Sequence, residues 1–290
     1  MKETPETMVT IRRPYVAGTF YEENAESLRH QIERCFLHKF GPKKIPKVTT
    51  NGLRKIIGLI CPHAGYGYSG PVAANAYFEL ARDGKPGVVV ILGPNHTGYG
   101  SAIALMKEGF WRTPLGDVKI AGEIAGQILR KTRLVDIDDS AHRFEHSIEV
   151  QLPFLQYLFG SDFKFVPICF LMQDLQSASE VGKALAEILA TKNAVVIASS
   201  DLTHYEPHVV AERKDMAALR AIERMDEKQF FSTIEEQTIS ACGYGPITAL
   251  IEFAKNLDVK EAKILAHRTS GEIINDYSSV VGYASVSFKK

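Results

Sequence analysis

Three histidines follow strand-like apolar runs and stand just beyond the end of each run. They are His63, His96 and His204, which follow apolar runs at 55–60, 88–92 and 194–199. The carboxyl ends of parallel strands meet at one edge of a sheet, so we expect these imidazoles to share a site there. Neutral imidazole is a common ligand for zinc, iron, copper and nickel. The alternative is that each histidine only hydrogen-bonds its own loop.

Cys242 is a further candidate ligand, because it stands just before a helical pattern near 246–256. A helix N-terminus lowers the pKa of a nearby thiol and favours the thiolate, which is the form that binds metal. The alternative is a small apolar residue in a packed turn, as most cysteines are. That alternative suits the other three cysteines, which lie in apolar runs: Cys35, Cys61 and Cys169.

Three short motifs suggest other chemistries. The G-x-G-x-x-G pattern at 65–70 lies between a strand and a helix, as in dinucleotide-binding folds, but no acidic residue ends the next strand. The H-x-x-E-H pattern at 142–146 resembles an inverted zinc-peptidase motif, which needs one continuous helix, whereas the helical pattern begins only near Ser147. A third set has hydrolase residue types but no G-x-S-x-G turn: Ser199, Ser200, Asp201 and His204.

The elements that would position these residues alternate between strands and helices. Strand, turn, helix and strand follow one another from 55 to 92, which predicts a parallel β-α-β unit. Further strand patterns lie at 163–170, 262–267 and 280–288, and helical patterns lie at 24–37, 121–130, 147–159, 175–190 and 209–235. The sequence therefore predicts an α/β protein. We expect a single three-layer α/β/α domain over residues 1–290, with a mostly parallel or mixed central sheet.

The composition argues against several classes of protein. Lys+Arg and Asp+Glu both number 34, so no net charge points to nucleic acid or to an anionic membrane surface. No apolar run reaches about 18 residues, and residues 1–7 lack the pattern of a signal peptide. Four cysteines without close pairing fit a reducing compartment, so we expect a cytoplasmic protein.

Five stretches of the sequence, taken together, resemble the Memo family. They are 62–66, 92–96, 145–149 with Leu152 and Pro153, 199–204, and Cys242–Gly243 with Pro246. The early stretch 17–21 is also similar to the N-terminal part of that family. The resemblance covers nearly the whole chain in order.

The Memo family is similar in fold to the class III extradiol dioxygenases, non-haem iron enzymes that open catechol rings. Those enzymes hold Fe(II) with two histidines and a glutamate, and another histidine serves as acid and base. The resemblance therefore implies an extradiol-dioxygenase-like fold in which His63 and His96 are ligands of one metal ion. It places Cys242 where the glutamate stands, and His204 at the acid/base position.

The resemblance also implies that Asp201 and His146 line the same pocket. We expect Asp201 to orient a neighbouring histidine, and His146 to support the ligands or to contact substrate. Tyr66, Asn95 and Tyr244 are the residues we predict to contact a substrate.

A thiolate in place of a carboxylate changes the chemistry expected at the metal. Sulfur is softer and can itself be oxidised, so copper or zinc becomes plausible beside iron, which remains the first expectation. The leading hypothesis is redox or dioxygenase-like chemistry on a small molecule. A second is a binding module that captures a phosphorylated or aromatic peptide group, since the resemblance implies a signalling role and a phosphotyrosine-peptide pocket in animal members. A third is a zinc hydrolase with an activated water.

Overall fold

A computed structural model describes residues 10–50 and 52–290, which form one mixed sheet with helices on both faces. The strands of these residues are β1 (Ile11–Arg12), β2 (Ile56–Cys61), β3 (Val88–Pro94), β4 (Ile103–Leu105), β5 (Phe110–Thr113), β6 (Gly116–Ile120), β7 (Asp136–Ile137), β8 (Lys164–Phe170), β9 (Ala194–Ser199), β10 (His204–Glu206), β11 (Ala262–Thr269) and β12 (Val280–Lys289). The predicted α/β class with a mixed sheet is confirmed.

Helices pack on both faces of the sheet. They are α1 (Ala25–Leu37), α2 (Gly70–Asp83), α3 (Gly122–Lys131), α4 (Leu152–Phe159), α5 (Leu175–Leu189), α6 (His208–Glu223), α7 (Glu227–Glu236), α8 (Tyr244–Lys255) and α9 (Ser270–Ile274). No helix among the described residues is both long and apolar enough to cross a bilayer. The predicted lack of a signal peptide falls on residues 1–7, which lie outside the described residues, and the single domain over 1–290 stays a prediction.

The centre of the sheet is parallel, in the order β8, β3, β9, β2. Ala198 of β9 pairs with Ile60 of β2 on one side and with Leu92 of β3 on the other. The predicted β-α-β unit of β2, α2 and β3 is therefore present, with β9 inserted between its two strands. Because the three carboxyl ends are in register, the segments that follow them begin at the same edge.

The two faces of the sheet bury two separate apolar clusters. Alternate residues of β3 divide between them, with Val88, Val90 and Leu92 on one side and Val89 and Ile91 on the other. Side chains of α3, α5, α6, α7 and α8 cover the first face, and those of α1, α2 and α4 cover the second. Strands buried on both faces are continuously apolar rather than alternating, which is why these runs could be identified in the sequence.

Most predicted helices are present, and two of their boundaries have clear local causes. The side chain of Asn24 accepts from the N–H groups of Glu26 and Ser27, so it caps the first turn of α1. The helix predicted from Ser147 begins as a 3-10 turn at 149–151 and becomes α-helical only at Leu152. Pro153 lies in the first turn of α4, where its missing N–H costs no hydrogen bond.

The sequence did not predict the hairpin of β5 and β6. Residues 113–117 connect its two strands, with Thr113 opposite Gly116. Gly116 has φ +121°, a conformation that favours glycine. Arg112 and Asp117 face each other across the hairpin and form an ion pair. Strands of four and five residues leave too little periodicity to recognise.

Candidate metal centre

His63 is held by residues from the neighbouring strand end. It lies two residues beyond β2 and is 1% exposed. Its backbone N–H donates to Oδ1 of Asp201 at 2.8 Å, and its ring Nδ1 lies 2.9 Å from Oγ of Ser199. Both partners stand at the end of β9, which pairs with β2. The ring nitrogen Nε2 is therefore the one left for the site.

His96 is held by a buried carboxylate. It lies two residues beyond β3, and its backbone N–H donates to Oε2 of Glu145 at 2.5 Å. Its ring Nδ1 lies 2.9 Å from Oε1 of the same carboxylate. The N–H groups of His146 and Ser147 also donate to that oxygen, at 2.9 and 2.8 Å. An ionised carboxylate can only accept, so Nδ1 of His96 donates and Nε2 is again left free.

His146 brings a third imidazole to the same place. Its ring stacks on that of His96 with centroids 4.7 Å apart and 23° between the planes. It meets His63 edge-on at 5.4 Å, and His63 and His96 lie 5.3 Å apart. One ring nitrogen from each of the three lies within 4.8 Å of the other two, and the group is a candidate metal-binding cluster. His146, predicted to line the pocket, is thus as well placed for a ligand as the two predicted ligands.

Cys242 stands directly beside His63. Its Sγ lies 3.2 Å from Nε2 of that ring and 3.3 Å from the backbone nitrogen of Asp201. Cys242 is the second residue before α8, whose N-cap is Gly243. Burial and then the charge of Asp201 raise the pKa of the thiol above its ordinary value. The expectation of a lowered pKa is therefore wrong, because burial outweighs the hydrogen bonds that lower the pKa of this thiol.

Asp201 and His204 also lie close to His63. Asp201 is 4% exposed, and it accepts from the backbone of His63 rather than from an imidazole. The ring Nδ1 of His204 lies 2.7 Å from the carbonyl oxygen of Leu202 and 2.9 Å from that of Ser240. Carbonyl oxygens only accept, so Nδ1 carries the proton and Nε2 of His204 is left with a lone pair. His204 is close enough for its charge to affect the pKa values of His63 and Asp201.

The three predicted substrate contacts are all engaged in contacts within the chain. The hydroxyl of Tyr66 donates to the carbonyl oxygen of Val150 at 2.6 Å, and its ring is 2% exposed. The side chain of Asn95 caps its own turn, where its Oδ1 accepts from the N–H of Thr97 at 2.9 Å. Tyr244 packs edge-on against Phe231. Their role in substrate binding remains a prediction.

The electrostatics of the cluster keep two of its imidazoles neutral. Burial lowers the pKa of His63 well below its ordinary value, and the charges of His146 and His96 lower it further. Burial also lowers the pKa of His146 to about 4, against an opposing effect of Glu145. For His96, burial has the same sign, but the hydrogen bond and the charge of Glu145 raise the pKa above its ordinary value. Neutral imidazole is the form that binds metal.

Glu145 supplies the negative charge behind the cluster. Burial would raise the pKa of this carboxyl, but the hydrogen bond and charge of His96 and then the charge of His146 lower it to about 2. Asp201 behaves differently: burial raises its pKa to about 6, despite the hydrogen bond from His63 and the nearby charge of His204. The two carboxyls of the site therefore differ in how readily they accept a proton.

A buried ion pair that the sequence did not predict anchors the segment carrying Glu145. Arg12 pairs with Glu149 and donates to the carbonyl oxygens of His142 at 3.1 Å and Glu145 at 2.6 Å. Glu149 also accepts from the hydroxyl of Tyr21 at 2.6 Å. These contacts join the N-terminal segment that contains Arg12 and Tyr21 to the segment that contains Glu145 and Glu149. One signal was available, since Glu149 is the single acidic residue between 147 and 160 in an otherwise mostly apolar stretch.

Two of the competing motifs have other structural roles. His142 lies outside the three-imidazole cluster, is fully buried and packs edge-on against Trp111 at 5.6 Å. It belongs to a 3-10 turn that ends before His146, so the two histidines of the H-x-x-E-H pattern do not share a helix. The hydroxyl of Ser199 donates to the carbonyl oxygen of Ser147 at 2.7 Å, away from His204. Ser199 therefore contacts the ring of His63 and is not part of a hydrolase triad.

Comparison with protein families and known proteins gives a consistent result. A family model described as "Memo-like protein" matches residues 12–287. "MEMO1 family protein MK0963" of Methanopyrus kandleri is 50% identical over 281 residues, which covers 96% of this chain and 99% of that protein. "MEMO1 family protein MJ0403" of Methanocaldococcus jannaschii is 51% identical over 286 residues, with the same coverage.

Among solved structures, the fold is also found at much lower sequence identity. One example is the crystal structure of uncharacterized protein JW3007 from Escherichia coli K12, with a TM-score of 0.56 and 13% identity. The alignment covers 80% of this chain and 99% of that one. At this identity the likeness concerns the arrangement of strands and helices.

Proposed function

The chain belongs to the Memo family, and on that premise we propose that it binds one redox-active metal ion through His63, His96 and Cys242. The observation that carries the proposal is the meeting of three imidazoles and a thiol at one sheet edge. Iron is the first candidate, and copper or zinc are the alternatives that a sulfur ligand makes plausible. His146 completes the donor set or stands directly behind it.

The donor atoms fit a metal once the rings move closer together. Three nitrogens bonded to one ion at about 2.1 Å lie about 3.0–3.6 Å from one another, for angles of about 90–120° at the metal. The three imidazole nitrogens lie within 4.8 Å of one another, so their separations have to close by at most about 1–2 Å. His63 and His146 are kept neutral by burial, which suits ligation.

The residues around the cluster can handle protons and hold the ligands. A bound iron would supply redox chemistry with dioxygen or a reduced oxygen species. His204 presents Nε2 with a lone pair and can take a proton there, because its Nδ1–H is held by two carbonyl oxygens. Asp201 fixes the backbone of His63, and Glu145 fixes the ring of His96. We therefore assign proton transfer to His204 and positioning to Asp201, while His146 supports the ligands or contacts substrate.

We further propose that the ligand is a small molecule and that the protein works in the cytoplasm. Four free cysteines support the reducing compartment. The inward contacts of Tyr66 and Tyr244 leave less aromatic surface for a peptide than the binding-module hypothesis needs. Capture of a phosphorylated or aromatic peptide group therefore ranks second. A zinc hydrolase with an activated water ranks third.

The experiment is metal reconstitution in the absence of oxygen. Purified protein is supplied separately with Fe(II), Zn(II) and Cu(I), desalted and analysed for metal content. The same measurement is made on His63→Ala and on His30→Ala, whose imidazole is exposed on α1. Admission of oxygen to the iron-loaded protein, with an oxygen electrode and candidate catechols, then tests for oxidation chemistry.

We expect about one iron per chain in the wild type and in His30→Ala, and little in His63→Ala. Wild-type protein that holds no stoichiometric metal would remove the metal function. Tight zinc binding with no iron binding or oxygen uptake would support the hydrolase instead. Equal metal content in His63→Ala and His30→Ala would show that the metal lies elsewhere.

A further inference from the structure

A buried hydroxyl, that of Ser199, lies at the centre of the hydrogen bonds behind His63. Its Oγ is 2.7 Å from Nε2 of Gln151, 2.7 Å from the carbonyl oxygen of Ser147 and 2.9 Å from Nδ1 of His63. Ser199 and Ser147 are fully buried, and Gln151 and His63 are each 1% exposed. Water therefore does not compete for these bonds, and each group depends on its protein partners.

The direction of the bonds with Gln151 is fixed by two further contacts. Its Nε2 lies 3.1 Å from the carbonyl oxygen of Pro62, which can only accept. Its Oε1 lies 2.6 Å from the hydroxyl of Tyr77, which can donate to it. A flipped amide would place an oxygen against the carbonyl oxygen of Pro62, so the amide has one acceptable orientation. Gln151 therefore donates to Ser199.

The proton of the Ser199 hydroxyl then has one destination. A serine hydroxyl donates one hydrogen bond and accepts up to two. The carbonyl oxygen of Ser147 can only accept, so it receives that proton. The remaining contact of Ser199, with Nδ1 of His63, is satisfied only when the imidazole donates. His63 is therefore the Nδ1–H tautomer, and its Nε2, which faces Sγ of Cys242 at 3.2 Å, has a lone pair.

We propose that Ser199, held by Gln151 and Tyr77, is a positioning residue that fixes the ring and the tautomer of His63 for ligation through Nε2. The role in ligation rests on the proposed metal function, whereas the tautomer is a property of the protein alone. His96 obtains the same tautomer from the carboxylate of Glu145. One ligand is thus supported by a neutral hydroxyl and the other by an anion, and such outer partners tune ligand basicity.

Ser199 also connects the two segments that form the site. It stands at the end of β9, receives the ring of His63 from the end of β2 and donates to the residue after His146. Loss of this one oxygen would leave the carbonyl oxygen of Ser147 and Nδ1 of His63 without their partner. We therefore expect its removal to weaken metal binding.

The test begins with the tautomer of His63 in the wild type, read from two-bond ¹⁵N–¹H correlations of labelled imidazoles without added metal. We expect a protonated Nδ1 and an unprotonated Nε2. The measurement is repeated on Ser199→Ala, and the affinity of each protein for Fe(II) or Co(II) is measured by competition with a chelator. Ser287→Ala is the matched control, because Ser287 is a 1% exposed serine with no hydrogen-bond partner for Oγ among the described residues.

We expect Ser199→Ala to show a mixture of His63 tautomers and roughly 10–100-fold weaker metal binding. Ser287→Ala should leave the tautomer and the affinity unchanged. A protonated Nε2 in the wild type overturns the proposal even if Ser199→Ala does not fold. Unchanged tautomer and affinity in a folded Ser199→Ala overturn it as well. If the wild-type protein has the expected tautomer but does not bind metal, the proposed metal function is refuted and the tautomer assignment is supported.

Discussion

The sulfur of Cys242 lies 3.2 Å from Nε2 of His63 and 3.3 Å from the backbone nitrogen of Asp201. With Nδ1 of His63 bound to Ser199, this sulfur is the partner within reach of the remaining ring nitrogen. A thiol donates weakly to an imidazole, and either group can instead bind a metal ion. The contact therefore joins the two kinds of ligand that the proposed site combines.

Replacement of the sulfur should change which metal the site prefers. Cys242→Ser substitutes a harder oxygen donor, so we expect affinity for Zn(II) and Cu(I) to fall at least about tenfold, and by more than affinity for Fe(II). Chelator competition with each metal measures the three affinities. Cys35→Ala is the control, since that buried cysteine lies on α1 and contacts the carbonyl oxygen of Tyr66. Equal losses for all three metals would contradict the role assigned to sulfur.

Removal of the charge behind His96 should weaken the site through that ring. Glu145→Gln keeps the shape but loses the anion that raises the pKa of His96, so we expect this pKa to fall. Metal affinity should fall roughly 10–100-fold, because the partner that orients a ligand histidine is weakened. NMR titration of His96 and chelator competition make the two measurements. Asp139→Asn, at an exposed carboxylate outside the cluster, should change neither.

Close packing at the end of β3 should make Gly93 intolerant of a side chain. A Cβ there would lie 2.5 Å from Oγ of Ser147 and 2.8 Å from Cγ1 of Ile148. We expect Gly93→Ala to lower the free energy of unfolding by about 1–3 kcal/mol and to weaken metal binding, because the adjoining Glu145–Ser147 segment must shift. Urea denaturation and metal titration test this.

A matched glycine in the His63 turn provides the control. A Cβ on Gly67 would meet no atom within 4 Å, so Gly67→Ala should cost no stability from contacts. Similar destabilisation by the two substitutions would show that the close approach of Ser147 to Gly93 is not the cause.

The buried His142 should make the protein sensitive to acid. Burial and then the charge of Arg12 lower its pKa from 6.5 to about 3, so the folded protein keeps this ring neutral. The unfolded chain takes up a proton below about pH 6.5, where the folded state does not. The unfolded state therefore binds more protons between pH 6.5 and 3. Stability is full above that window and falls as the pH drops through it.

Substitution of His142 by phenylalanine should remove part of this dependence. Neither ring nitrogen of His142 has a hydrogen bond of normal geometry among the described residues, so His142→Phe removes none. A pH of 5 is about 1.5 units below the ordinary pKa of histidine. Between pH 7.5 and pH 5, we expect the free energy of unfolding of the variant to fall by about 2 kcal/mol less than that of the wild type. Urea denaturation at both pH values measures this, with His30→Gln as the exposed control. Parallel stability curves for wild type and His142→Phe would refute the assignment.

The sequence by itself determined the class of fold and the placement of the histidines. Strands buried on both faces are continuous apolar runs, so β2, β3 and β9 could be recognised without a structure. Parallel strands end at one edge, so the histidines that follow β2 and β3 had to approach each other. The same local motifs carried the resemblance to the Memo family, whose membership is confirmed.

The tertiary structure decided how the site is held and how its groups ionise. The pairing of His96 with Glu145, and the bonds from Ser199 to His63, join residues more than 45 positions apart. No local pattern specifies such partners, because they depend on which segments pack together. The pKa of the Cys242 thiol is a second example. The position of Cys242 before a helix indicated a lowered pKa, whereas its burial in the folded protein raises the pKa. Desolvation is set by everything that surrounds a group, and the surroundings exist only in the folded molecule.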